Sequence, residues 1–289
     1  MSVILVYAEQ RGNVFRKPAL ESLTQGRCLA DKLGADLAVL IAGSNIGDLA
    51  TEAGTYGADQ VYTADRSECS PYHTEVHTAL LVDLIDQLDP RLILMGHTAV
   101  GKDLAPRVAE KANAGFVSDC IDISVTDGDM TYTRPIYAGK AFARLSIETP
   151  LHVVTLRPNI FPIKEKPGSG KMLECNVTIP EPRARVESVE LTNNTRPELT
   201  EAEVIVSGGR GLGEQNGFEL LGQLADLMGA ALGASRTAVD SGWIPPEEDG
   251  IGPEGQRALL PPGDKGQACL SDVVGELYPV PGEGVHQAP

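Results

Sequence analysis

Short apolar runs alternate with helix-length amphipathic segments over about the first 110 residues, the pattern of a parallel sheet whose strands are joined by crossover helices. Ser2–Tyr7 predicts a buried strand, and Pro18 opens a helix running to Leu33 with Leu20, Leu23, Leu29 and Leu33 on one stripe and Gly34 as its stop. Asp36–Ala42 reads as the second strand, Asn45–Tyr56 as a helix ended by Gly57, and Gln60–Thr63 as a short third strand. A helix over His73–Leu88, a strand over Arg91–Met95 and a helix over Gly101–Ala112 complete the series.

After Gly115 the segments shorten and alternate: Cys120–Val125, Thr131–Ile136, Ala141–Ile147 and Leu151–Leu156, with turns at Asp127-Gly128 and Thr149-Pro150. They predict added strands, some antiparallel. Pro162–Arg196 is rich in Pro, Lys, Glu and Asn and reads as a linker. Ala202–Ser207 then starts a second strand-then-helix unit, with the helix over Gln215–Met228. The last 49 residues hold 8 Pro and 9 Gly and show no apolar period, which predicts an irregular tail. The expected domains are therefore 1–196, 197–245 and the tail 246–289. The fold class is α/β.

Composition narrows the function. The formal charge is -16 at pH 7, which repels phosphate backbones and anionic headgroups and argues against nucleic-acid partners. Five cysteines stand singly with no C-x-x-C pair, as expected of a reducing compartment. The opening apolar run is short and followed at once by Glu9, so it reads as a strand and not a signal peptide, and no apolar stretch is long enough to insert in a membrane. A cytoplasmic location is expected.

Three loops carry candidate chemistry. Val204–Gly213 (VIVSGGRGLG) is a strand feeding a Gly-rich turn at a helix start. Bare backbone amides and a positive dipole end there can cradle a pyrophosphate, and Arg210 can pair with phosphate or stack on a ring. Gly209 and Gly211 would permit close approach and positive φ, although such turns are often merely tight. One helix later, Ala231–Asp240 (ALGASRTAVD) places Ser235 and Arg236 at the end of the adjacent strand, either in the same crevice or, for the Arg, in solvent. Gly96–Arg107 also sets glycines and hydroxyls at a helix start, as in a nucleotide pocket, unless Lys102 and Asp103 simply pair at the surface. His73 and His77 could reach one metal or lie on a solvated helical face, and His152 and His286 show no partner. No G-x-S-x-G elbow or H-E-x-x-H occurs, so binding loops stand without an acid, base or nucleophile.

Taken together, Ile4–Gln10, Gly96–Arg107, Thr133–Ala141 (TRPIYAGKA), Ser207–Leu212 and Gly233–Gly242 (GASRTAVDSG) resemble, in their order, the α subunit of electron transfer flavoprotein, over Met1 to about Pro245. The resemblance implies a nucleotide α-hydrolase-like first domain, a Rossmann-like flavin domain, one FAD, and a β subunit as partner. It further implies electron flow from acyl-CoA and related dehydrogenases, as in fatty acid β-oxidation, to a membrane quinone oxidoreductase. By position it makes Gly209, Arg210, Gly211 and Ser235 FAD contacts and places Arg236 over the flavin near N5, where a cation favours the first electron. It also implies that the Gly96–Arg107 loop binds no nucleotide in this subunit. Beyond Pro245 the family's Q-x-G-Q-T-G-K loop and G-I-S-G-A-I-Q-H helix start are not found, so the flavin domain is expected to be incomplete. The alternative expectation is a truncated form that keeps β-subunit binding but retains FAD poorly or not at all.

Overall fold

A computed structural model describes residues 2–137, 139–179, 181–184, 186–189, 196–199, 201–202 and 204–244. The chain divides into two compact units, Met1–Pro135 with Phe142–Leu191, and Ile136–Ala141 with Thr192–Pro289. The tail expected at 246–289 lies outside the described residues.

The first unit is built on a seven-stranded sheet. Its strands are β1 (Val3–Tyr7), β2 (Asp36–Gly43), β3 (Gln60–Asp65), β4 (Leu92–Gly96), β5 (Gly115–Cys120), β9 (His152–Leu156) and β10 (Lys171–Glu174), in the order β10-β3-β2-β1-β4-β9-β5. Every pairing in it is parallel. The connecting helices are α1 (Lys17–Leu33), α2 (Gly47–Thr55), α3 (Thr74–Leu88) and α4 (Ala99–Lys111). Because both faces of a parallel sheet are covered, the central strands are apolar throughout: Ile4, Leu5 and Val6 of β1 and Leu92, Ile93 and Leu94 of β4 are all fully buried. Each apolar face anchors one core layer, Leu23 and Leu29 of α1 on one side and Leu80, Leu84 and Leu104 of α3 and α4 on the other. Gly34 ends α1 in the left-handed region at φ 61°, donating its N–H to the carbonyl of Ala30, as its sequence position predicts.

Four expectations need correction. β5, whose GFVSDC sequence has no clean apolar pattern, was absent from the predicted strands up to Cys120; it is held by β9, with an irregularity between Val117 and Cys120 where Asp119 sits at φ 63°. Leu151–Leu156 is not an added strand but lies inside the parallel sheet, between β4 and β5. Part of the segment read as linker folds back as β10 and pairs in parallel with β3; at four residues with polar ends it gives no strand signal. α4 starts at Ala99 and not at Gly101, because the Thr98 side chain accepts from the Gly101 amide.

A separate three-stranded sheet in the order β6-β7-β8 follows β5, from β6 (Asp122–Thr126), β7 (Asp129–Ile136) and β8 (Ala141–Ser146). β6 and β7 pair antiparallel through the Asp127-Gly128 turn, with Asp127 at φ 52° and Gly128 at φ 89°. Ile123, Met130 and Tyr132 bury this sheet's inner face.

In the second unit, β11 (Ile205–Gly208) and β12 (Ala231–Ala234) pair in parallel across α5 (Asn216–Met228), and α6 (Arg236–Asp240) follows β12. Its core is Val206, Phe218, Leu221, Ala225, Leu232 and Ala238, with Trp243 and Leu212 packed against it.

Candidate functional site

The two strand ends of the second unit stand side by side. The register pairs Ser207 with Gly233 and Gly208 with Ala234, and the Ser235 amide donates to the Gly208 carbonyl at 2.9 Å. The chain leaving β11 and the chain leaving β12 therefore open on one edge, where an α/β sheet holds its ligand. Gly209, Arg210, Gly211, Ser235 and Arg236 all lie on these two exits, so the structure brings the five predicted residues to one place.

The glycines act differently from their expected roles. Gly209 is extended at φ -141° and needs no special freedom, and the left-handed conformation falls on Gly213, at φ 75°. Between them, Arg210–Leu212 forms a single 3-10 turn closed by Leu212 N–H to Gly209 O and Gly213 N–H to Arg210 O, both 3.1 Å. The glycine that shape demands is Gly208. A β-carbon there would stand 2.5 Å from Leu212 Cδ1, 2.6 Å from Leu221 Cδ1 and 2.9 Å from Phe218 Cε1, all inside contact distance. Its bare backbone seats α5 against β11 while its carbonyl holds Ser235. The sequence signal for it was present, since Gly208 is the first glycine after the strand.

Ser235 precedes α6 at φ -73°, ψ 147°, but its hydroxyl does not cap the helix. Its Oγ is buried and has no hydrogen-bond partner among the described residues. A buried hydroxyl without a partner costs about 1–3 kcal/mol, so this atom is suited to a polar group brought by a ligand. Arg210 is exposed, and Arg236 is 81% exposed; among the described residues its ion-pair partner is Asp240, Nε to Oδ2 3.7 Å, a separation that leaves most of the guanidinium free. Two uncommitted cations and an orphan hydroxyl around a strand-end opening fit an anionic dinucleotide such as FAD. A cleft of about 280 Å³ on the same unit, between Arg196, Phe218, Gly222, Asp226, Trp243 and Ile244, includes none of the five. It is occupied at one wall by the Arg196–Asp226 pair at 2.7 Å.

The other candidates are spent on the first unit's own packing. A β-carbon on Gly101 would fall 1.9 Å from the Gly96 carbonyl oxygen, and one on Gly96 2.6 Å from Pro18 Cβ, so these glycines close the turn on the protein and not on a phosphate. Thr98 donates to the Glu9 carboxylate. Asp103 does not pair with Lys102; it accepts from Arg107 at 3.1 Å, Tyr72 at 3.0 Å and Thr74.

His73 and His77 do not converge, and the solvated-face alternative fails for His77, which is 2% exposed. Its Nδ1 meets the Tyr7 hydroxyl at 2.8 Å and its Nε2 the Cys69 carbonyl at 3.1 Å, and burial pushes the imidazole down to about 4. His73 Nε2 pairs with the Ala184 carbonyl at 2.7 Å. His152 has the partner that the sequence hid, Tyr132, hydroxyl to Nδ1 2.6 Å. Among the described residues no three His, Cys, Asp or Glu side chains are grouped to hold a metal. Cys69, Cys120 and Cys175 are buried with thiols pushed up to about 11, 12 and 11, so none is a thiolate near neutrality. No helix among the described residues is long and apolar enough to cross a membrane.

The profile of the electron transfer flavoprotein domain matches residues 4–180, and that of the electron transfer flavoprotein FAD-binding domain matches residues 198–258, thirteen residues beyond the expected point of departure at Pro245. The electron transfer flavoprotein subunit alpha of Syntrophomonas wolfei is 38% identical over 241 residues, covering 83% of this chain and 75% of that protein. That of Bacillus subtilis is 37% identical over 242 residues, covering 83% and 74%. The acryloyl-CoA reductase electron transfer subunit beta of Anaerotignum propionicum is 30% identical over 280 residues, covering 84% and 75%. The chain belongs to the α-subunit family of electron transfer flavoproteins, electron carriers and not substrate-transforming enzymes, and its second unit contains that family's FAD-binding domain.

Proposed function

We propose that this chain, paired with a β subunit, carries electrons on FAD from acyl-CoA and related dehydrogenases to a membrane quinone oxidoreductase. The observation that carries the FAD site is the buried, unpartnered Ser235 Oγ beside the Gly208–Gly213 turn. In this reading Ser235 donates to or accepts from the cofactor's polar edge, while the turn's backbone and Arg210 hold its phosphates. Arg236 sets a positive charge against the ring system, and the buried Gly208 seats α5 against β11 and holds the Ser235 amide through its carbonyl, so that both exits face one ligand. FAD, when bound, supplies the one-electron chemistry that these side chains lack. A CoA-linked redox partner is supported by the acryloyl-CoA reductase electron transfer subunit among the relatives.

A second reading has its own support. After Pro245 the sequence does not contain the family's Q-x-G-Q-T-G-K loop. A form that keeps β-subunit binding and holds FAD weakly fits this. Co-expression with the cognate β subunit separates the two. A yellow complex whose absorbance bleaches on mixing with reduced acyl-CoA dehydrogenase supports the carrier, and a stable colourless complex supports the second reading. A chain that binds neither FAD nor a β subunit refutes both.

A further inference from the structure

We infer that the outer face of α5 is a docking surface for a segment of this same chain, residues 270–277. α5 turns Phe218, Leu221, Gly222 and Ala225 into the core of the second unit. A helix covered on that face alone would be polar elsewhere, yet Leu220 is 69%, Leu227 86% and Met228 46% exposed, and Leu224 between them is only partly buried. These four stand at i, i+4, i+7 and i+8, a stripe along the helix beside its core face, and the charged residues Glu219 and Asp226 lie off it. Among the described residues α1–α4 have no exposed large apolar side chain, so the stripe is particular to this helix. A helix that is apolar on its core side and on the side next to it is suited to being covered twice.

The occupant follows from the chain that comes next. Ile244 is buried in the core of this unit with Trp243 packed beside it, so the chain leaves the described residues from here, and 45 residues follow. No apolar period runs through them as a whole, but Leu270, Val273, Val274 and Leu277 stand at i, i+3, i+4 and i+7, the anchor spacing of a helix laid on an apolar surface. Ser271 is a helix-start residue and Pro279 a stop. The same spacing sets Asp272 and Glu276 on the opposite side, away from Glu219 and Asp226 of α5. The FAD-binding profile ends at residue 258, so the segment lies beyond the family match. Residues 245–269 have a root-mean-square reach of about 25–30 Å, against about 20 Å for the length of α5. A tether of that length gives an effective concentration on the order of a millimolar, which a second copy at micromolar concentration does not match.

The test is hydrogen exchange on the full chain, with Trp243 fluorescence showing that the second unit is folded in each variant. In the wild type the amides of 271–277 are expected to exchange about tenfold or more slowly than in a free peptide of the same sequence. Leu227→Glu, a change at an exposed position, and Val274→Glu, a change outside the described unit, are each expected to return them to the free-peptide rate, whereas Asp272→Ala leaves the slowing in place. Free-peptide rates at 271–277 in the wild type, or slow exchange that survives Leu227→Glu, overturn the assignment. A dimer in sedimentation that Leu227→Glu dissociates and Val274→Glu does not would make a second copy the occupant, and slowing that appears only when the cognate β subunit is added would place the segment on that subunit; either overturns the choice argued here. FAD binding enters none of these outcomes, so the docking stands or falls apart from the function proposed above.

Discussion

Replacing Gly208 by alanine tests whether the site depends on the close seating of α5 on β11. The added methyl would lie 2.5 Å from Leu212 Cδ1, 2.6 Å from Leu221 Cδ1 and 2.9 Å from Phe218 Cε1, where carbon atoms rest at about 3.5–4.0 Å. About 1 Å must be recovered in three directions. Leu212 is half-buried on the turn and can rotate, but Phe218 and Leu221 are each 5% exposed in the core of the unit, so α5 itself has to move. Over-packing of this kind costs about 1–3 kcal/mol. Because a β-carbon on Gly217 of α5 would already stand 3.1 Å from Leu212, the displaced helix drags the 209–213 turn with it, and FAD affinity is expected to fall about tenfold. Trp243 is the single tryptophan and packs on the same core, so urea unfolding followed by its fluorescence reports this unit. An FAD absorbance titration of the two-subunit complex gives the second number. An unchanged urea midpoint together with wild-type FAD binding would show that Gly208 is not the seat of the helix.

Three further outcomes are expected. Ser235→Ala removes a buried hydroxyl without a partner, so the FAD-free chain should hold or gain up to about 1–2 kcal/mol while FAD binds several-fold more weakly; lost stability with unchanged affinity would place the hydroxyl in the fold. Arg236→Ala should weaken FAD and lower the potential for its first electron, read by spectroelectrochemistry, with Arg236→Lys recovering part of the shift and no change in the urea midpoint. His77 is neutral when folded, held down to about 4 from an ordinary 6.5, so the unfolded chain binds more protons between these values and stability falls as pH drops from 6.5 through 4. Its share of that loss is about 2 kcal/mol between pH 7 and pH 4.5, measured as the difference in urea unfolding between wild type and His77→Gln at the two pH values, and an equal pH slope in both would remove His77 as its source.

The sequence was enough wherever the cause of structure was local. Buried runs such as Ile4–Val6 and Leu92–Leu94 declare a two-sided parallel strand because nothing polar can be tolerated on either face, and Gly34 declares a helix end because a left-handed residue is needed there. The two Gly-rich exits were legible for the same reason, as a strand followed at once by glycines and a cation. Tertiary structure decided what depends on a neighbour distant in the chain. β10 is a strand only because β3 offers it a free edge, and β5 only because β9 lies beside it. The Gly96–Gly101 loop looked like a phosphate cradle and is filled by Pro18 and its own carbonyl, while His77, read as metal-binding or solvated, and His152, read as unpartnered, are satisfied by tyrosines 70 and 20 residues away. Above all, the composition of the second loop could not say whether Ser235 is satisfied: the parallel register of β11 and β12 ties its amide to Gly208, buries its hydroxyl and gives it no partner in the described chain. Spacing along the sequence fixes which groups exist, and only packing fixes which of them remain unpaired.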